Sequence, residues 1–147
     1  MRGLLIEDDP NKAKKILEVI KNLYPTIEIV LAESYQDGLR EIFDSQYAFI
    51  LIDMSIPTYN VNGAFSGKPR NFGGKQILRE MKRYKKQAIV KVITQYNQFD
   101  GGSISMEELD LELSKFYPEL YRGYILYNSK QKSEWEEGIR LFLNDFC

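Results

Sequence analysis

The chain has no histidine and a single cysteine, Cys147, among its 147 residues. Without imidazole, serine-protease-like triads and histidine-ligated zinc are excluded. One cysteine excludes an intrachain disulfide, and this usage fits a reducing cytoplasm. No apolar run approaches the roughly 20 residues needed to span a bilayer, and no signal-peptide pattern opens the chain. A membrane partner is therefore not expected. Neither charge sign dominates, with 20 Lys and Arg against 21 Asp and Glu. That balance gives no general electrostatic attraction for nucleic acid.

What is present is the material of one ordinary globular domain, with 44% hydrophobic and 28% charged residues. Two short apolar stretches each end abruptly in carboxylate: Leu4-Leu5-Ile6-Glu7-Asp8-Asp9 and Ile50-Leu51-Ile52-Asp53. Burying an ionised carboxylate is costly without a counter-charge. If the two stretches are neighbouring strands, Glu7, Asp8 and Asp53 meet at one sheet edge as hard oxygen donors suited to a divalent cation. Strand C-termini are also where open α/β sheets place their sites. Asp9 reads differently, as an acid that starts a helix.

Strand-like and helix-like patterns alternate along the chain. A first helix starts at Asp9-Pro10 or Pro10-Asn11, with Ala13, Ile16, Leu17 and Ile20 at helical spacing, and Pro25 stops it. Thr26 to Leu31 alternates like a strand, and a second helix starts near Ser34. Tyr47 to Ile52 is a continuous apolar run, the mark of a central parallel strand buried on both faces. A third helix is expected over Gly74 to Tyr84, a strand over Ile89 to Ile93 and a helix over Met106 to Phe116. A fifth strand follows at Tyr124 to Tyr127, and a last helix covers Ser133 to Phe146. Five βα units in series imply a parallel sheet with helices on both faces. Two connections are long, 58–72 and 96–105, and long loops beside a site tend to be functional. The basic run Lys82-Arg83-Tyr84-Lys85-Lys86 falls at a helix C-terminus, where cations are favoured without any ligand.

In their order, these motifs resemble the receiver domain of two-component response regulators. Glu7-Asp8 resembles the family's acidic pair. Asp53 resembles the phosphoacceptor, with Pro57 four residues on. Thr94 resembles the hydroxyl residue closing strand four, Gly73-Gly74-Lys75 the start of helix three, and Tyr124 the switch aromatic of strand five. The resemblance covers essentially the whole chain. It implies a single α/β domain, without an output domain, built on a doubly wound five-stranded parallel sheet in the flavodoxin-like order 2-1-3-4-5.

It further implies a stand-alone, cytoplasmic phosphoacceptor rather than a turnover enzyme. A histidine kinase or phosphotransfer protein would deliver a phosphoryl group to Asp53, with Mg²⁺ held by Glu7, Asp8, Asp53 and Ser55. Thr94 would bind the attached phosphate, and a downstream protein would dock on the face of helix four, strand five and helix five. Family members carry a phosphate-pairing lysine on strand five, where this chain has Tyr127. Lys130, three residues later, is the nearest substitute. Tyr127 and the long 58–72 loop also suit a second reading, an atypical receiver acting as a phosphorylation-independent interaction module.

Overall fold

The computed structural model describes residues 1–57, 72–99 and 102–146. Most of the 58–72 connection therefore lies outside the described residues, and with it the expectation that this long loop is functional. The elements are β1 (Arg2–Ile6), α1 (Pro10–Leu23), β2 (Glu28–Ala32), α2 (Tyr35–Asp44), β3 (Phe49–Ile52), α3 (Gly73–Arg83), β4 (Ile89–Thr94), β5 (Gln98–Phe99), β6 (Ile104–Ser105), α4 (Met106–Phe116), β7 (Tyr121–Leu126) and α5 (Lys132–Asn144). Strands β2-β1-β3-β4-β7 form one five-stranded sheet, all neighbours parallel. This is the expected order, with β7 as the fifth strand. The difference lies between β4 and α4. There β5 and β6 pair as a small antiparallel ribbon where the sequence suggests only a loop.

Side-chain alternation divides the core between the two sheet faces. On β3, Ile50 and Ile52 face a layer made by α2, α3 and α4, which contribute Ile42, Ile77, Met81 and Leu109. Phe49 and Leu51 face the opposite layer, where α1 and α5 supply Ile16, Ile20, Trp135 and Ile139. Each of these large side chains is almost completely buried, a stabilisation of roughly 1.5–3 kcal/mol apiece.

Two local features aim the site. Helix α1 begins at Pro10, whose missing N–H costs nothing in the first turn, and the Asp9 carboxylate accepts from the backbone N–H groups of Asn11 and Lys12. Helix α3 begins hard against the turn after β3. A Cβ on Gly73 would lie 2.2 Å from the Ile56 carbonyl oxygen, so only glycine permits this approach. The Gly74 N–H donates to the Met54 carbonyl at 3.3 Å.

Candidate functional site

Register brings the carboxylates together. Ile6 pairs with Ile52 across β1 and β3, so the residues that follow leave the same sheet edge side by side. The Asp53 N–H donates to the Ile6 carbonyl at 3.3 Å, and the Glu7 N–H to the Ala32 carbonyl at 3.0 Å. Glu7, Asp8 and Asp53 each offer a carboxylate oxygen within 4.8 Å of the others. Glu7 and Asp53 are buried, whereas Asp8 is exposed. Three hard oxygens so placed, two of them shielded from bulk water, fit one magnesium-like cation.

Ser55 closes on Asp53 from the following turn. Its N–H donates to Oδ1 at 3.3 Å and its hydroxyl to Oδ2 at 3.0 Å. Thr94 ends β4 fully buried, and its Oγ1 accepts from the Tyr96 N–H at 3.3 Å. Because Ile52 pairs with Val92 across β3 and β4, Thr94 leaves the edge that carries Asp53. Tyr124 stands on β7 opposite Val92, half-buried against the α2–α4 layer.

Lys130 is not drawn into the cluster. It is exposed in the loop before α5, where its backbone N–H donates to Asn128 Oδ1 at 2.9 Å. Among the described residues, the cation in the site is Lys12, which the sequence reading did not single out. Its ammonium lies 2.8 Å from Glu7 Oε1 and 3.6 Å from Asp53 Oδ1, and it donates to the Ile93 carbonyl at 2.9 Å. The side chain is 2% exposed. One group from α1 thus joins the ends of β1, β3 and β4. It also lies over the Tyr127 ring, 5.6 Å from its centroid, within cation–π range. Tyr127 in turn packs on Trp135 of α5, with centroids 4.9 Å apart.

The electrostatics follow from this packing. Burial pushes the Glu7 carboxyl up to about 7; Lys12 opposes the rise and the nearby Asp53 adds to it. Burial also raises the Tyr127 hydroxyl, helped by the negative charges of Asp9 and Glu7. Tyr127 therefore faces the acidic site as a neutral phenol. A separate cleft of about 760 Å³, lined by residues including Tyr47, Lys82, Lys86 and Tyr117, opens at the opposite end of the sheet.

No family model matches the chain. Among curated proteins, it is 24% identical over 144 residues to the uncharacterized protein y4jR of Sinorhizobium fredii, covering 95% of both chains. It is 27% identical over 145 residues to the Detocs response regulatory protein DtcB of Vibrio alginolyticus, covering 95% of this chain and 97% of the relative. Among solved structures, it superposes on the response regulator protein TrrA of Thermotoga maritima, in complex with Mg(2+)-BeF, with a TM-score of 0.62. The identity there is 20%, over 95% of this chain and 97% of that one. The fold is that of response-regulator receiver domains.

Proposed function

We propose that the chain is a receiver domain that takes a phosphoryl group on Asp53 in two-component signalling. The observation that carries this reading is the Asp53 carboxylate, held at the end of β3 between the Glu7–Asp8 pair and a buried ammonium. Phosphoryl transfer asks a protein for positioning and charge neutralisation more than for covalent help. A carboxylate oxygen of Asp53 forms the new O–P bond as the donor's P–N bond breaks. The departing imidazole nitrogen keeps the electron pair. The product is an acyl phosphate on Asp53. Ser55 holds both Asp53 oxygens in place, and the Thr94 hydroxyl, at the same sheet edge, would hydrogen-bond the phosphoryl group.

Glu7, Asp8 and Asp53, with the Ser55 carbonyl, would hold Mg²⁺. When bound, it neutralises charge on the phosphoryl oxygens. The Mg(2+)-BeF complex of the structural neighbour and the name of the curated relative support the assignment. The donor is a histidine kinase or a phosphotransfer protein, and the location is cytoplasmic. The receiving surface for a downstream protein is the face of α4, β7 and α5, where Leu111 and Leu126 are exposed. Neither nucleic acid nor membrane is a partner.

The test is intact-mass spectrometry after incubation with acetyl phosphate and Mg²⁺, repeated with a histidine-phosphorylated donor. One added phosphoryl group, absent in Asp53→Ala, supports the reading; no adduct from either donor overturns it. The second reading, a phosphorylation-independent interaction module, is favoured by Tyr127 in the usual lysine position. It predicts no adduct and unchanged partner binding in Asp53→Ala.

A further inference from the structure

We infer that Lys12 is the phosphate-pairing cation of this site, supplied by α1 in place of a lysine on the last strand. The inference rests on the phosphoacceptor reading above and adds to it the residue that contacts the attached group.

Three observations carry it. The first is donor arithmetic. A lysine ammonium has three N–H donors. One goes to the Ile93 carbonyl at 2.9 Å and one faces Glu7 at 2.8 Å. That leaves a donor uncommitted, and Asp53 Oδ1, at 3.6 Å, is beyond hydrogen-bond length. A phosphoryl group on Asp53 brings anionic oxygens into that gap, at the range of charge-assisted bonds.

The second observation is that the position is a poor one for a purely structural lysine. Lys12 sits in the first turn of α1, where the helix dipole disfavours a cation. It is also buried beside Ala13 and Ile16, where an apolar side chain would extend the packed stripe. A buried ion pair replaced as a whole by apolar residues seldom costs stability, so the ammonium is here for the two carboxylates it faces and not for the packing of α1.

The third is the neighbour. Tyr127, the residue in the usual lysine position, places its ring against this ammonium. The two positions open on the same space, one holding the charge and the other the aromatic wall. Tyr127 rests on Trp135, and both belong to the layer formed by α1 and α5.

The experiment measures two affinities on the full chain: Mg²⁺ alone, by calorimetry, and beryllofluoride at saturating Mg²⁺, by fluorine NMR. Lys12→Met is expected to weaken beryllofluoride binding about ten- to a hundredfold, the worth of one charge-assisted hydrogen bond. It should leave Mg²⁺ binding as tight as in the wild type or tighter, because a competing cation is gone. A structural lysine would not separate the two affinities. Lys12→Met/Tyr127→Lys is expected to regain the anion affinity, and Lys130→Met to keep it. Wild-type beryllofluoride affinity in Lys12→Met, or loss of affinity in Lys130→Met, overturns the inference and leaves the phosphoacceptor reading standing. A wild type that takes neither beryllofluoride nor a phosphoryl group overturns that reading, and this inference with it. If Lys12→Met does not fold, the lysine ammonium signals of the wild type decide. Beryllofluoride should shift the Lys12 signal; a Lys12 signal that stays put overturns the inference.

Discussion

Lys12 Nζ stands 2.8 Å from Glu7 Oε1, and both side chains are within 2% of complete burial. A charge pair so deep in the molecule is bound to the acid–base state of each partner. Its consequences can be measured without any phosphodonor.

The first is a pH dependence of folding in metal-free protein. Glu7 titrates near 7 in the folded chain against an ordinary value of 4.5. Between these values the folded state holds a proton that the unfolded state has released. Stability from this group therefore falls as pH rises from about 4.5 to 7 and is level above that. At about 1.4 kcal/mol per unit, the fall is of order 3 kcal/mol. Urea denaturation in EDTA across this range should show the slope, and Glu7→Gln should largely remove it.

Breaking the pair from the other side has a different signature. Lys12→Met leaves Glu7 and Asp53 buried without their cation, a cost of about 3–5 kcal/mol at neutral pH. The loss should shrink on acidification, as Glu7 takes up a proton. Denaturant midpoints at pH 5.5 and 7.5 check this, and equal losses at the two values would refute it.

Asp8 separates metal affinity from stability. It is exposed, and it is one of the three clustered carboxylates. Asp8→Asn is expected to change thermal stability of the metal-free protein by less than about 0.5 kcal/mol, while Mg²⁺ affinity drops severalfold or more. Calorimetric titration beside a thermal melt reads both quantities.

Gly73→Ala addresses the turn that carries Asp53. The new methyl group would meet the Ile56 backbone, which must shift. A destabilisation of about 1–3 kcal/mol is expected, with slower phosphorylation of Asp53 because the Ser55 contacts move with the turn. Gly123→Ala makes a useful contrast. Its penalty comes from a positive φ of 89° rather than from the site, so phosphorylation should be spared.

Much of this was legible in the sequence. The helix starts at Asp9-Pro10 and Ser34 were readable because capping is local chemistry, and both caps are formed. The grouping of Glu7, Asp8 and Asp53 was readable because both strands stop at the same register. Lys12 was missed although a signal was present. It lies one residue before Ala13 and four before Ile16, so it falls on the inward stripe at the end of α1 nearest the sheet's C-terminal edge. Lysine is normally assigned to solvent on composition, and only packing shows that this one turns in. Lys130 was chosen by closeness in sequence to Tyr127, but cations are gathered by space, and α1 is nearer than the following loop. The β5–β6 ribbon escaped because two-residue strands are too short to show alternation.

That ribbon changes what happens beyond Thr94. A plain loop would absorb a small displacement through its own torsions. Here Gln98 pairs with Ser105, and the Asn97 carbonyl accepts from the Met106 N–H at 2.8 Å. Ser105 in turn caps α4 by accepting from the Glu108 N–H. Through these bonds the residues just after β4 are tied to the first turn of α4, so a shift of Asn97 or Gln98 would carry the start of α4 with it.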